Sequence, residues 1–211
     1  MNIKKYITEF IGAFFLVATI GFTVMAPGAD HMAPLAIGSA LMVMIFAGGH
    51  ISGAHYNPAV TLAVWLRGRC ETKDMWQYMA WQIAGGSLAG LLVTFVKGGP
   101  ASGATMFANP VNALIAEFLF TFALAYVVLN VATAKANANN SFYGLAIGFT
   151  VLTGAYAVGN ISGGAFNPAV AFGISIMGLA HWGNLWAYLL AEFLAAAAAA
   201  YLFNYLNPND K

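Results

Sequence analysis

Charge is what this sequence has least of. Of its 211 residues, 7% are Asp, Glu, Lys or Arg, against roughly 25% in a soluble domain. A chain so poor in charge cannot cover a water-facing surface, which excludes an ordinary soluble enzyme or regulator. Eight basic and seven acidic residues leave a formal charge of +1, so there is no basic patch for a nucleic-acid partner. The single Cys70 excludes an intrachain disulfide and any multi-cysteine metal site. Lying among Arg67, Arg69 and Lys73, it reads as a free thiol on a loop. The four histidines (His31, His50, His55 and His181) are scattered and lack clustered carboxylates, so no metal site is expected. No catalytic triad, P-loop or nucleotide motif is present. The sequence therefore predicts neither an enzyme nor a cofactor.

What is there is apolar. Hydrophobic residues make up 61% of the chain, and they fall in long runs that predict an all-α, multi-pass membrane protein. Six spans are expected, at about 6–26, 34–48, 75–96, 110–133, 142–158 and 182–206. The first is too long for a secretory leader and belongs to the repeat described next, so it is read as a retained span.

Residues 49–64 and 159–174 are two copies of one stretch. They share eight of sixteen positions without a gap, at an offset of 110 residues. Ile7-Thr8-Glu9-Phe10 and Ile115-Ala116-Glu117-Phe118 repeat at an offset of 108. Each half is thus three spans plus one short segment, and an odd number of spans sends the second half in from the opposite side. The expected organisation is a single channel domain, 1–211, built from two inverted repeats of about 1–105 and 106–211. Lys4, Lys5, Arg67, Arg69, Lys73, Lys135 and Lys211 fall on one side in this topology and Lys97 on the other. That bias predicts cytoplasmic termini, and short loops suggest the cell (inner) membrane.

Each copy has the chemistry of a helix start. Asn57 or Asn167 stands at the N-cap, and Pro58 or Pro168 stands at the first helical position, where its missing N–H costs nothing. Ala59 and Ala169 follow. Both segments end within about two turns, too short to cross a bilayer. Irregular backbone at membrane depth is tolerated where it lines a watery cavity. Two such segments entering from opposite faces predict a pore with two positive helix ends near its centre, which repels cations and protons. Each Asn carbonyl can cap its helix and leave its NH2 free for the lumen. A passive channel is the leading reading. A secondary transporter, or a structural membrane protein with a vestigial pore, are the alternatives.

The doubled Ser-Gly-x-x-x-Asn-Pro-Ala-Val, the six spans and the repeated acid at Glu9 and Glu117 resemble the aquaporins, or major intrinsic proteins, over nearly the whole chain. The resemblance implies that Asn57 and Asn167 are the central pore donors and that Glu9 and Glu117 brace the re-entrant loops. It implies a homotetramer with one pore per subunit, embedded in lipid and passing water and small neutral solutes. It also implies a selectivity constriction at Ile37, Ala155, Gly164 and Val170. Most family members carry Arg immediately after the second Asn-Pro-Ala, where this chain has Val170. Water-selective members pair it with a His, where this chain has Ala155. The usual Asp of glycerol facilitators is Ala171. The constriction is thereby expected to be wide and apolar, admitting ammonia, urea, hydrogen peroxide or glycerol along with water.

Four further residues carry expectations. His55 is expected to line the pore, with a pH gate as the alternative role. His50 is expected to be a structural contact at the loop turn. His31 and His181 are expected in solvated loops. Glu192 lies within a span, has no evident counterpart in the first half, and reads as a contact to a neighbouring subunit or to its own helix.

Overall fold

The computed structural model describes residues 3–210. Met1, Asn2 and Lys211, the last of which enters the basic count above, lie outside them. Among the described residues every regular element is helical: α1 (Ile3–Val24), α2 (Ala33–Ser52), α3 (Pro58–Leu66), α4 (Thr72–Val96), α5 (Pro110–Val128), α6 (Tyr143–Ser162), α7 (Pro168–Ile176) and α8 (Leu185–Leu206). Short 3-10 turns precede α2 and α8, and a π-turn, Leu129–Thr133, extends α5. The six long helices are each long and apolar enough to cross a membrane. α3 and α7 have nine residues each, a rise of about 14 Å, or half the ~30 Å hydrocarbon core.

The two halves interlock. α1 packs on α4 as α5 packs on α8, and α2 crosses α6. α3 leaves its own half to pack on α8, and α7 packs on α4. The α2–α6 crossing is close because it is made by Gly38 and Gly148, 110 residues apart. A Cβ on Gly38 would sit 2.7 Å from the Gly148 carbonyl oxygen, and one on Gly148 would sit 2.5 Å from that of Gly38. Small residues let helix backbones approach in this way where lipid removes the hydrophobic drive between them. Phe15, Leu91, Phe95, Leu119 and Leu194 are exposed on the outside, the expected surface of an integral membrane protein.

The two ends of the described chain lie on one face. There Asp210 pairs with Arg67 at 2.7 Å and Arg69 at 3.5 Å and accepts from the Lys135 backbone N–H at 2.8 Å. The Arg67 guanidinium also lies 4.7 Å from the centre of the Phe203 ring. Lys5 pairs with Asp74 nearby at 3.2 Å. On the opposite face Lys97 donates to the Met25 and Pro27 carbonyls at 3.0 and 2.6 Å. Cys70 is a free thiol on the loop between α3 and α4, as expected. It is half-buried against the core, and burial pushes its thiol up to about 11, away from the reactive thiolate.

Candidate pore and its re-entrant loops

Two identical backbone turns bring α3 and α7 to the centre. α2 and α6 end at Gly53 and Gly163, with φ of 89° and 91°, the left-handed cap that glycine adopts freely. The chain then turns back through Tyr56 and Phe166, both at φ 51°. A left-handed non-glycine residue costs about 1–2 kcal/mol. Ala54, at φ 53°, adds a second such residue to the first loop.

Two buried carboxylates hold these turns. Glu9 accepts from the Ser52 hydroxyl at 2.6 Å and from the backbone N–H groups of His55 and Tyr56 at 3.0 and 2.7 Å. Glu117 accepts from the Ser162 hydroxyl at 2.6 Å and from the N–H groups of Ala165 and Phe166 at 3.0 and 2.8 Å. Hydrogen bonds to a charged group contribute about 1.5–3 kcal/mol each, so three of them outweigh the backbone strain. Tyr78 and Tyr188, also 110 apart, donate their hydroxyls to the carbonyls of Ser52 and Ser162 and fix the ends of α2 and α6.

Asn57 caps α3, its Oδ1 accepting from Ala59 and Val60 N–H at 2.8 and 3.3 Å; Asn167 caps α7 through Ala169 N–H at 2.9 Å. Pro58 and Pro168 occupy the first helical position of each. The amides are not wholly free for the lumen. Asn57 Nδ2 donates to the Phe166 carbonyl at 2.8 Å, and Asn167 Nδ2 donates to the Tyr56 carbonyl at 2.9 Å. One N–H of each NH2 thus stitches the loops head to head, because the carbonyl before each Asn would otherwise be buried unpaired. The second N–H of each remains.

A cavity of about 520 Å³ opens from the face opposite the termini and reaches both Asn57 and Asn167. Ile37, Ala155, Gly164 and Val170 all line it, and no Asp, Glu, Lys or Arg does among the described residues. Gly163, Gly164 and Ala165 also line it, and their carbonyls accept no protein hydrogen bond among the described residues. A second cavity, of about 590 Å³, opens on the terminal face and is lined by His50, Arg69, Lys135 and Tyr143 among others. His50 therefore faces a cavity rather than only the loop turn. His55 and Val128 line both cavities, so the two meet beside the paired Asn. His31 is exposed, and His181 Nδ1 accepts from Gly183 N–H at 3.0 Å.

The tautomer of His55 follows from its neighbours. The Thr61 hydroxyl spends its one proton on the Asn57 carbonyl at 2.9 Å and accepts from Gln82 Nε2 at 2.9 Å. Its remaining lone pair, 3.1 Å from His55 Nδ1, therefore needs a donor, which leaves His55 Nε2 as an acceptor.

Comparison with known proteins agrees with this geometry. The profile described as "Major intrinsic protein" matches residues 1–203. The chain belongs to this family. It is 36% identical to Aquaporin NIP1-3 of Oryza sativa subsp. japonica, over 99% of this chain and 75% of that one. It is 34% identical to Glycerol uptake facilitator protein-like 6 of Lactiplantibacillus plantarum, over 98% and 100%. The aquaglyceroporin structure from Plasmodium falciparum superposes with a TM-score of 0.81 at 21% identity, over 97% and 96% of the two chains, a likeness of fold. As a major intrinsic protein the chain is a passive membrane channel for water and small neutral solutes, and not an enzyme.

Sequence reasoning missed the residues behind the loops. Gln82 donates to Glu9 at 2.8 Å, and Glu192 accepts from Asn167 N–H at 2.9 Å. Glu192 thus has a first-half counterpart after all, Gln82, at the same offset of 110. The match was hidden because an amide and an acid look unrelated, and the spacing alone would have revealed it.

Proposed function

We propose that this channel is permissive, with a constriction formed by Ile37, Ala155, Gly164 and Val170 that passes water together with ammonia, urea, hydrogen peroxide or glycerol. The observation that carries the reading is the 520 Å³ cavity around those four residues, whose wall has no Asp, Glu, Lys or Arg among the described residues. A wall without fixed charge discriminates by size and by hydrogen bonding rather than by sign. The free carbonyls of Gly163–Ala165 supply acceptors for hydroxyl and amine hydrogens, and the spare N–H of Asn57 and of Asn167 supplies donors. A water held by its oxygen between two donors cannot pass a proton onward, and the N-termini of α3 and α7 repel cations. His55 serves as a neutral wall acceptor. Glu9 and Glu117 serve as braces. One domain of two repeats forms one pore, and four copies assemble in a lipid membrane. The basic bias supports cytoplasmic termini in the cell (inner) membrane.

Stopped-flow light scattering on proteoliposomes tests the filter, comparing water, glycerol and urea for the wild type and Val170→Arg. The expected result is passage of all three by the wild type and of water alone by the variant. A wild type that passes only water places the constriction elsewhere.

A further inference from the structure

Glu192 lies in the middle of α8, fully buried, and lines neither cavity. Its Oε1 accepts the Asn167 backbone N–H at 2.9 Å. Its Oε2 is buried and has no hydrogen-bond partner among the described residues. The N–H groups of Phe166 and Asn167 are consecutive along the chain, yet they go to two different acids, Glu117 and Glu192. The two carboxyl groups are therefore neighbours. Among the described residues no Lys, Arg or His is bonded to either. α3 and α7, which also pack on α8, carry no titratable side chain. The other titratable group beside the pair is the Tyr188 hydroxyl, already donated to the Ser162 carbonyl.

Two neighbouring carboxylates without a cation are costly in the interior, both by desolvation and by mutual repulsion. The first half shows what the second lacks. Glu9 has four donors: the Ser52 hydroxyl, two backbone N–H groups and Gln82 Nε2. Glu117 has three, because its equivalent of Gln82 is an acid. A proton on Glu192 Oε2 restores the missing donor. The protonated carboxyl then offers Glu117 a donor as the Gln82 amide offers one to Glu9.

We infer that Glu192 is a neutral carboxylic acid, a positioning residue that holds Asn167 through its carbonyl oxygen and donates its proton to Glu117. Held from behind in this way, Asn167 keeps its spare N–H directed at the lumen. The permeability part of the test rests on the channel reading above; the spectroscopic part does not.

The experiment is infrared difference spectroscopy on wild type, Glu192→Gln and Glu117→Gln in proteoliposomes at neutral pH, with water permeability of the same samples and of Glu192→Ala. The expected spectrum shows the carbonyl stretch of a protonated carboxylic acid in the wild type and its loss in Glu192→Gln. Glu192→Gln keeps water permeability within about twofold of wild type, and Glu192→Ala, which orphans the Asn167 N–H, lowers it about tenfold. Absence of that band from the wild type overturns the inference. So does a band that survives in Glu192→Gln and vanishes in Glu117→Gln, or a Glu192→Gln permeability as low as that of Glu192→Ala. A wild type that conducts no water while the band still depends on Glu192 defeats the channel reading and leaves the assignment of the proton intact.

Discussion

Between the first re-entrant loop and the second, the backbone repeats within a few degrees, with φ of 89° and 91° at Gly53 and Gly163 and 51° at both Tyr56 and Phe166. The side chains behind it do not repeat. The first loop is backed by a polar network of His55, Thr61, Gln82 and Glu9 in which donors and acceptors are matched. In the second, Ala165 and Ala171 replace His55 and Thr61, and Glu192 replaces Gln82. The shape presented to the solute is thus held constant while its support varies. Common to both is a buried acid that accepts the backbone N–H groups of the two residues preceding Asn57 or Asn167. Glu9, Thr61 and Gln82 lie behind the turn and line neither cavity, whereas His55 reaches the wall of both.

The largest expected effect comes from removing a brace. Glu9→Ala leaves four donors without their acceptor and Glu117→Ala leaves three. Each is expected to destabilise the protein by about 3–5 kcal/mol, Glu9→Ala more than Glu117→Ala, as read by thermal unfolding of detergent-solubilised protein followed by size exclusion. An equal loss in both would mean that Gln82 contributes nothing to the first brace.

Gln82→Glu makes the first half chemically like the second. Held neutral as Glu192 is, the new acid has one proton where the amide offers two N–H groups, so either Glu9 or Thr61 loses a donor, at an expected cost of about 2–3 kcal/mol in the same assay. If it is silent, a carboxyl is tolerated at either position and the asymmetry carries no energetic meaning.

Next come the caps. Asn57→Ala and Asn167→Ala each lose a helix cap and one bond to the opposite loop, at about 2 kcal/mol together. Water permeability is expected to fall in both, because each loop is fastened by the other's amide. A fall confined to one would show that the two loops are not coupled.

The smallest effect lies at the outer ends of the short helices, which are fastened differently. α7 ends on a backbone bond from Ala101 N–H to the Met177 carbonyl at 2.8 Å. α3 ends at Arg67, paired with Asp210. The Lys135 backbone N–H, and then Arg67, hold the Asp210 carboxyl below the usual carboxylate range. Its contribution is therefore present above the unfolded value, about 3.9, and is lost as pH falls through the lower folded value. Asp210→Asn is expected to lower the melting temperature slightly at neutral pH and to match wild type in strong acid. A difference that persists in acid would assign the effect to packing.

Much of the scaffold was legible because it is written in local chemistry. Asn57-Pro58 and Asn167-Pro168 announce helix starts, and nine residues cannot span a bilayer. The long apolar runs announce spans. The supports were less legible. Ser52, Tyr78, Thr61 and Gln82 are ordinary residues with partners 21 to 73 positions away, and sequence spacing says nothing about which of them converge.

The sequence by itself determined the six spans, the duplicated half-helices, their caps and the repeat of an acid at Glu9 and Glu117, since each follows from hydrophobic length, proline and asparagine chemistry, or an internal offset. Only the tertiary structure decided where the hydrogen bonds end. It gave one N–H of each Asn amide to the opposite loop, turned His55 Nδ1 toward Thr61, and set Glu192 against Asn167 with one oxygen unpaired. The reason is geometric: such bonds are chosen by distances of a few ångströms between segments far apart in the chain, and these exist only once the two halves have interlocked.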